Sequence, residues 1–487
     1  MELPLSTFRI ARRPPRWLGL VFALGLVLLT PRPALAHLHL RSSVPAAKAA
    51  LDTVPREIRL VFSEPAELSV SSIRLTGPDG SAIELGAIAL DPESARALVS
   101  PITGSLVPGV YTVSWRTASA DGHPVEGRYS FEISSGAYGL AVAAPPTPTT
   151  GTTSFEPGPD SQAASAASGS EASADLDVGS PLYVAVRWLN FAALLGVVGA
   201  VAFALIVAPR VPELAADPLK TVARAGLASA AVLVLAAVAR LIAQSYALHG
   251  AGLQAIVFDT GWGRAWLLGA GALVVALAAF GGAARRGRRC CWPIALVAVI
   301  ALALSSALSG HAVATPRVAP LAVVADTLHI LSAGGWLGTL LIVVLVGIPL
   351  TLHQEQGARA RAASNLINAF SPVALGCASL LVITGLLAAW LHLGSVPALW
   401  QSRYGQVLLV KLAVIVFLVA LGFINWRVMR PALGTDTATR RIRGSAIAEL
   451  ALGTLVLAVT AVLVATSPPA EARDVATVPS TVQAPTR

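Results

Sequence analysis

Sulfur-containing residues are scarce in this 487-residue chain, which contains three cysteines and two methionines. Cys290, Cys291 and Cys377 all lie in the C-terminal half, so the N-terminal part has no cysteine with which to build a disulfide framework. Apart from the initiator, the only methionine is Met429. A thioether-rich site for a soft metal ion is therefore excluded, and imidazole, carboxylate and amine groups remain as candidate metal ligands.

Charged residues are also few: they make up 13% of the chain, against 55% hydrophobic residues. This composition is typical of an integral membrane protein, yet long apolar runs begin only near Tyr183. The net charge of +9 does not indicate a nucleic-acid partner, because the basic residues lie in the N-terminal segment and in short loops between apolar runs. Neither a Gly-rich Lys-Ser/Thr phosphate loop nor an Asp-Lys-Thr motif is present, so we expect no ATP hydrolysis and no enzymatic activity.

Residues 1–36 are predicted to form a signal peptide. Arginines precede the apolar segment from Trp17 to Leu29, and Ala34-Leu35-Ala36 is a small-residue cleavage site. His37 would then begin the mature protein, and its free α-amine, with a pKa of about 7.7 to 8, could give up a proton to a metal ion near neutral pH. The amine and the imidazole of His37 could close one chelate ring, and such nitrogen-rich sites suit Cu(II). The alternative is that His37 and His39 lie beside the cleavage site without a role.

Residues 37–136 carry short strand-like runs separated by Gly and Pro turn signals, which predict a small antiparallel sandwich or barrel. The clearest runs are 58–62, 72–76, 111–116 and 128–133. Between the last two runs, Asp121-Gly122-His123-Pro124 places a carboxylate and an imidazole two residues apart. Both side chains could reach one ion, although a turn without a ligand role is also compatible with this motif.

Two segments are predicted to lack a packed core. Residues 137–181 are rich in Pro, Ser, Ala and Thr, and we expect a flexible linker that tethers the exported domain to the membrane. Residues 467–487 are expected to form a disordered tail on the periplasmic side.

Residues 182–466 contain eight apolar segments long enough to span a bilayer. They cover roughly 182–208, 223–246, 264–284, 292–312, 320–350, 366–392, 405–428 and 444–466. If the N-terminal domain is exported, loops after odd-numbered spans are cytoplasmic, and these loops hold most of the basic residues, as in 285–289. The opposite loops hold little beyond Arg264, Arg317 and Arg403. This asymmetry predicts a multi-pass protein of the bacterial inner membrane with both termini outside.

Four histidines of the membrane part lie on the outer side or within a span under this topology. His329 would lie ~14 Å deep at 1.5 Å per helical residue, and Asp326, three residues earlier, shares its helical face. Ionisable groups at that depth usually mark a functional path, although a hydrogen-bonding strut between helices is the alternative. His249, His311 and His392 would lie at the outer ends of spans and could form an entry route. Glu449 in the last span is a weaker candidate for such a path.

The exported domain resembles the periplasmic CopC copper-binding family. The matching stretches are His37-Leu38-His39-Leu40, Ser43-x-Pro45-Ala46, Leu60 to Pro65, Tyr111-x-Val113-x-Trp115-Arg116 and Ser119-x-Asp121-Gly122-His123-Pro124. The resemblance implies a Greek-key β-barrel whose Cu(II) site is formed by the amine and ring of His37 with Asp121 and His123. It also implies that Glu64 and His39 lie near that site. Because a methionine-rich second site for Cu(I) is missing, we expect a domain specific for Cu(II).

The membrane part resembles the CopD copper-resistance family. The matching stretches are Asp326-x-x-His329 with Trp336-x-Gly338, Phe370-Ser371-Pro372 with Thr384-Gly385, Tyr404-Gly405 with Lys411, Gly422-x-x-Asn425, and Glu449 with Pro468-Pro469. Together the two resemblances imply an α-helical bundle fused to a β-domain that binds copper and transports it across the membrane as Cu(I) or Cu(II). A periplasmic copper donor is an expected partner, besides the lipid bilayer.

Two other functions remain open from the sequence. Intramembrane histidines could bind haem in an electron-transfer protein, for which His329 would need a second histidine at matching depth. Alternatively, the protein could sequester or sense copper without transporting it. Oligomeric state and transport direction do not follow from the sequence.

Overall fold

The computed structural model describes residues 38–138, 180–213, 217–248, 250–310, 312–313, 318–393, 395–425, 427 and 436–466. The predicted signal peptide, residues 139–179 of the predicted linker and the tail after 466 lie outside the described residues, as do His37, His249 and His311.

The N-terminal part is a β-sandwich of nine strands in two sheets, ordered β1-β3-β7-β6 and β2-β9-β8-β4-β5. The strands are β1 Leu40–Val44, β2 Ala50–Thr53, β3 Glu57–Phe62, β4 Ser72–Thr76, β5 Ala82–Ile83, β6 Ala89–Asp91, β7 Ser94–Pro101, β8 Gly109–Ala118 and β9 Pro124–Tyr138. Side chains on successive residues point to opposite faces of a strand, so β3 buries Ile58, Leu60 and Phe62. These side chains form one core with Tyr111 and Trp115 of β8.

The sandwich alternative of the sequence analysis is confirmed, whereas the barrel that the resemblance implied is corrected. The two sheets share no strand among the described residues, so the sheet does not close on itself. Pairing is also not wholly antiparallel, because β2 pairs with β9 in parallel. The core between the sheets contains an edge-to-face contact of Phe62 and Trp115 at 5.1 Å between ring centroids and a stack of Tyr111 on Phe131 at 5.5 Å.

The C-terminal part contains eight helices that are long and apolar enough to cross a membrane, as predicted. They are α1 Pro181–Arg210, α2 Asp217–Ala247, α3 Gly261–Arg286, α4 Cys291–Leu308, α5 Ala319–Leu352, α6 Gln356–Leu393, α7 Arg403–Ile424 and α8 Asp436–Leu463. α1 and α5 include π-helical turns. The largest hydrophobic cluster lies among α1 to α6 and the start of α8.

Helix ends differ from the predicted spans mainly where charged residues continue a helix beyond its apolar run. α6 starts at Gln356 and includes Arg359 and Arg361, ten residues before the predicted start, because a helix can extend out of the hydrocarbon into a polar region. α1 and α5 cross closely: a Cβ added at Gly199 would lie 2.0 Å from the carbonyl carbon of Gly338. Glycine is required at this crossing because it allows the two backbones to touch.

The sandwich docks on the helical part. Gly261 at the start of α3 donates its backbone N–H to Oε1 of Glu67 at 2.8 Å. Gln244 near the end of α2 donates from Nε2 to the carbonyl oxygen of Gly122 at 2.5 Å. Around these two hydrogen bonds, Val70 and Ala118 of the sandwich pack in one buried cluster with Leu248, Ile256 and Trp262.

Candidate metal centre

The turn between β8 and β9 presents the predicted ligands Asp121 and His123. Two backbone hydrogen bonds close it, from Ser119 N to His123 O at 3.0 Å and from Gly122 N to Ser119 O at 2.8 Å. Gly122 has φ of +85°, a conformation that side-chain-bearing residues rarely adopt. The long β8–β9 pair therefore ends in a tight turn that fixes the directions of the two flanking side chains.

The Asp121 carboxylate is buried, with 2% of the residue exposed, and the turn itself holds it in place. Oδ1 accepts a hydrogen bond from Ser119 Oγ at 2.5 Å, and Oδ2 lies 2.9 Å from Nδ1 of His123. An imidazole nitrogen and a carboxylate oxygen at this separation can ligate the same metal ion. The carboxylate and imidazole that the sequence placed together are therefore in direct contact, with the His123 side chain 22% exposed.

The segment that carries Glu64 runs beside this turn. Glu67 N donates to the carbonyl oxygen of Ala118 at 2.9 Å, and Glu64 itself is 5% exposed. His39 exchanges hydrogen bonds with Ser63, from His39 N to Ser63 Oγ at 3.1 Å and from Ser63 N to His39 O at 2.9 Å. The first described residues are thus held next to Glu64. Within the described ranges, no three His, Cys, Asp or Glu side chains converge as a metal site; His37, the further predicted ligand, lies outside those ranges.

A cavity of about 80 Å³ lies between the turn and the helical part. Asp121, Gly122 and His123 form the side of the cavity that belongs to the sandwich. The lining residues from the helices are Tyr183, Arg187, Asn190, Phe191, Arg240, Gln244, Trp262, Ser306, Ser309, Gly310 and Val464. They come from the start of α1, the end of α2, the start of α3 and the ends of α4 and α8, so the cavity is placed where these five helix ends meet.

Two guanidinium groups make the wall of this cavity electropositive. Arg187 is 9% exposed, donates to the carbonyl oxygen of Ala461 at 3.2 Å and lies over the ring of Tyr183. Arg240 donates to Ser309 Oγ at 3.2 Å and lies over the ring of Trp262. Arg187 interacts electrostatically with both Arg240 and Asp121.

The docking surface also contains the titratable carboxyl group of Glu67. Burial raises its pKa above the ordinary value of 4.5, although the hydrogen bond from Gly261 and the charge of Arg264 act in the opposite direction. Desolvation disfavours the charged form of a carboxyl group, so a proton on Glu67 is easier to accommodate at this surface than in water.

The predicted pair on α5 is embedded in a larger polar group of the bundle. Nδ1 of His329 lies 2.8 Å from Oγ1 of Thr384 on α6, and Asp326 interacts electrostatically with Lys411 of α7. The Thr384 hydroxyl also donates its proton to the carbonyl oxygen of Leu380. Its oxygen can therefore accept a hydrogen bond from the imidazole. The hydrogen-bond partner of His329 is thus a threonine rather than a second histidine.

The remaining predicted path residues lie apart from this group. His392 at the end of α6 contacts the ring of Tyr404 at 6.3 Å between centroids, and it does not line the cavity beside Asp121. Glu449 is buried in α8 and accepts a hydrogen bond from Asn425, which in turn accepts from Ser445 Oγ at 2.5 Å. These contacts place Glu449 in a polar cluster near the ends of α7 and α8 that face away from the sandwich.

Sequence reasoning missed the residues that join the two parts. Glu67, Gln244 and Trp262 carry no motif, but a helical signal was available: Arg240 and Gln244 are four residues apart in an apolar span and therefore share a face. Tyr183, Arg187 and Asn190 follow one another at intervals of four and three residues in α1, which also places them on one face. Polar residues spaced in this way near one end of an apolar helix indicate a polar surface at that end.

Comparison with known proteins agrees with this architecture. The CopC domain family matches residues 40–134, the family described as copper resistance protein D-like, N-terminal domain, matches 175–318, and copper resistance protein D matches 364–463. The copper transport protein CutJ of Bacillus subtilis (strain 168) is 26% identical over 468 residues, which cover 94% of this chain and 78% of that protein.

Relatives of the separate parts are also found. The protein YobA of Escherichia coli (strain K12) is 37% identical over 118 residues, covering 24% of this chain and 94% of YobA. The copper resistance protein D of Pseudomonas syringae pv. tomato is 29% identical over 264 residues, covering 50% of this chain and 84% of that protein. The chain therefore belongs to the CopC/CopD copper-resistance family, with a CopC domain and a CopD-type multi-pass membrane region in one polypeptide.

Proposed function

We propose that this protein captures Cu(II) outside the bacterial inner membrane and passes copper across that membrane, as a contribution to copper homeostasis or resistance. In this proposal the terminal amine and imidazole of His37, the carboxylate of Asp121 and the imidazole of His123 hold Cu(II). Glu64 and His39 are further candidate residues near this site. Imidazole, carboxylate and amine ligands in this combination suit Cu(II).

The observation that carries the proposal is the position of the Asp121–His123 turn. It faces a cavity whose other walls are the ends of five membrane-spanning helices, so an ion bound at the turn would lie directly against the helical part. Gln244 holds the turn there through the carbonyl oxygen of Gly122. A domain that only stored copper would not need its ligands against the bundle.

The same contact supports the proposed topology. Positive-inside counting predicts that the starts of α1 and α3 and the ends of α2, α4 and α8 lie outside, and these are the helix ends that line the cavity. In the proposal, the sandwich docked at those ends lies on the periplasmic side. The basic connection at 285–289 lies at the opposite end of α3.

Within the bundle, we assign passage to the polar group around His329. Asp326 and His329 on α5, Thr384 on α6 and Lys411 on α7 form contacts across three helices. Ionisable groups at this depth are costly unless they serve a path. Glu449, with Asn425, stands near the cytoplasmic end of the bundle, where a departing ion would reach the inner surface.

The proposal is tested by copper uptake into proteoliposomes that enclose an impermeant copper-sensitive dye, with Cu(II) supplied alone or with a reductant. We expect uptake by the wild type and a strong loss in His329→Ala. Asp121→Asn should weaken Cu(II) binding by about tenfold or more, which corresponds to at least 1.4 kcal/mol, and should lower uptake at limiting copper.

Asp79→Asn is the matched control for the Asp121 variant. The Asp79 carboxylate also accepts from a backbone N–H two residues later and from a serine hydroxyl, at 3.0 and 2.7 Å from Ser81, but it lies in an exposed turn away from the cavity. It should leave both measurements unchanged. Equal uptake by wild type and His329→Ala would refute passage through this group, and unchanged Cu(II) affinity in Asp121→Asn would remove the proposed ligand set.

A further inference from the structure

The cavity between the sandwich and the helices contains more positive than negative charge. Among the described residues that line it, the guanidinium groups of Arg187 and Arg240 are cationic, and Asp121 supplies the one carboxylate. That carboxylate is already engaged by Ser119 Oγ at 2.5 Å and by the His123 imidazole at 2.9 Å. Arg187 interacts electrostatically with this carboxylate, so the two arginines share one carboxylate among these lining residues.

Their protein hydrogen-bond partners are neutral. Arg187 donates to a backbone carbonyl, Ala461 O, and Arg240 donates to a hydroxyl, Ser309 Oγ. Arg187 also has a side-chain hydrogen bond with Tyr183. Each guanidinium has five N–H donors, so these bonds leave donor capacity for another ligand. A buried cation is costly unless it is paired, and Arg187 is 9% exposed.

A purely structural role accounts for part of this arrangement. Ala461 lies in the last turn of α8, where carbonyl groups carry the negative end of the helix dipole, so Arg187 stabilises that helix end. A helix end corresponds to only about half an elementary charge, however, and it cannot compensate two guanidinium groups. The aromatic rings of Tyr183 and Trp262, which lie 4.9 and 5.9 Å from the two guanidinium carbons, orient the arginines without neutralising them.

The cavity has the size and the lining of a site for a small ligand. Its volume is about 80 Å³, whereas a cavity needs roughly 10–15 Å³ in the same measure to hold one water molecule. Asn190 and Gln244 add amide groups to its wall, and Phe191 and Trp262 add apolar surface. Charged donors in a partly apolar cavity bind anions more strongly than the same groups do in water.

We propose that this cavity is a binding site for a small anion, such as chloride or a short carboxylate, held between Arg187 and Arg240. Anion binding compensates the two guanidinium groups when the Asp121 carboxylate is engaged elsewhere. A metal cation on Asp121 would add positive charge beside the same arginines, so anion and cation should favour each other's binding.

The test measures chloride binding to the copper-free, full-length protein in a neutral detergent by the excess line width of the chloride NMR signal. We expect saturable broadening in the wild type and roughly a tenfold weaker effect in Arg187→Gln/Arg240→Gln, as for loss of charge-assisted hydrogen bonds. Arg187→Lys, which keeps the charge, should retain most of the broadening. Arg210→Gln, which alters an exposed arginine at the opposite end of α1, should retain all of it. Because no copper is present, the result is independent of the proposed copper function.

Two outcomes would overturn the proposal. Equal broadening in the wild type and in the double variant would show that chloride binds elsewhere. Asp175 and Asp177 shortly precede α1 in the sequence. If broadening is absent from the wild type and appears in Asp175→Asn/Asp177→Asn, carboxylates of this chain, rather than a free anion, pair with the two arginines. Arg240→Gln alone is also compared with the wild type by thermal unfolding. Weaker broadening with an unchanged unfolding curve shows loss of the site rather than loss of the fold.

Discussion

Both the Asp121–His123 turn and the docking contact between the sandwich and the helices depend on Gly122. Its φ of +85° is needed to bring Asp121 and His123 together, and a Cβ at this position would lie 2.8 Å from Cγ of Trp262 on α3. Its carbonyl oxygen also accepts the hydrogen bond from Gln244. One small residue therefore meets a conformational requirement within the sandwich and a steric requirement between the two parts.

We predict that Gly122→Ala undocks the sandwich, whereas Gly80→Ala does not. Gly80 has a similar φ of +81° but no atom within 4 Å of an added Cβ. Both variants should therefore lose about 1 kcal/mol of stability from backbone strain. Only the Cβ added in Gly122→Ala would clash with Trp262. Energy transfer between labels at the exposed residues Ser81 and Leu253 measures docking. Equal docking in the two variants would contradict this account, and Trp262→Ala should restore docking partly in the Gly122 variant.

At the scale of elements, contacts between helices determine which polar groups of the bundle can act together. Sequence spacing on α5 placed Asp326 and His329 on one face, but the imidazole is held by Thr384 of α6 and the carboxylate is near Lys411 of α7. The orientation of the His329 ring is therefore a property of the α5–α6 packing. Hydrogen bonds between membrane helices contribute about 0.6 kcal/mol on average, so such a contact orients a side chain more than it stabilises the bundle.

We predict that Thr384→Val lowers copper uptake by about tenfold without unfolding the protein, as expected when a partner that orients a ligand is removed. Valine has nearly the same shape as threonine but cannot hydrogen-bond to the imidazole. Thr327→Val is the matched control, because the Thr327 hydroxyl bonds to Val323 O of its own helix. Uptake in proteoliposomes is the measurement; equal uptake by the two variants would mean that the orientation of His329 is not required.

The contact between Glu67 of the sandwich and the start of α3 predicts a pH dependence of docking. Burial raises the pKa of Glu67 above 4.5, so the docked state holds this proton more tightly than the undocked state. Docking should therefore be strongest below the ordinary pKa and weaken as the pH rises through the raised value. The charge of Arg264 lowers the pKa of Glu67 and so limits the effect.

Glu67→Gln isolates this contribution. The amide resembles the protonated carboxyl group, so docking of the variant should lose the part of the pH dependence that Glu67 causes and keep the rest. The same energy-transfer pair, read between pH 4 and 7 across the ordinary carboxyl range, provides the measurement. Identical pH profiles for the wild type and the variant would show that Glu67 titrates independently of docking.

For the whole molecule, the central feature is that the Asp121–His123 turn, the cavity and the helix ends that line this cavity lie on one side. The sandwich docks through hydrogen bonds from α2 and α3 and through the cluster around Trp262. The basic connection between α3 and α4 lies at the opposite end of α3. In the proposed topology, an ion bound at the turn would be separated from the cytoplasm by the length of the bundle.

We predict that native Cys290 is accessible only from the cytoplasm. It is exposed in the α3–α4 connection, next to Arg288 and Arg289. A membrane-impermeant maleimide should label Leu253→Cys, in the exposed α2–α3 connection, in intact spheroplasts of a Cys290→Ser background. The same reagent should label native Cys290 only after permeabilisation. The reverse pattern would invert the topology and place the sandwich inside the cell.

The sequence by itself determined the elements and the chemistry of individual residues. Lipid allows only structures that satisfy their own backbone hydrogen bonds, so apolar runs of sufficient length predicted all eight helices, and alternation predicted β3, β4, β8 and β9. The Asp121–His123 pair was predictable because both residues lie in one turn. The assignment of His37 as a ligand remains a prediction, since it depends on signal processing at a residue outside the described ranges.

The tertiary structure alone decided which helix ends and side chains meet. Gln244 and Gly122 are 122 positions apart and His329 and Thr384 are 55 apart, and no local pattern encodes such distant pairings. The choice between sandwich and barrel was of the same kind, because it depends on which strands pair at the sheet edges. The cavity with its two arginines exists only when sandwich and bundle are docked, since each part supplies one wall of it.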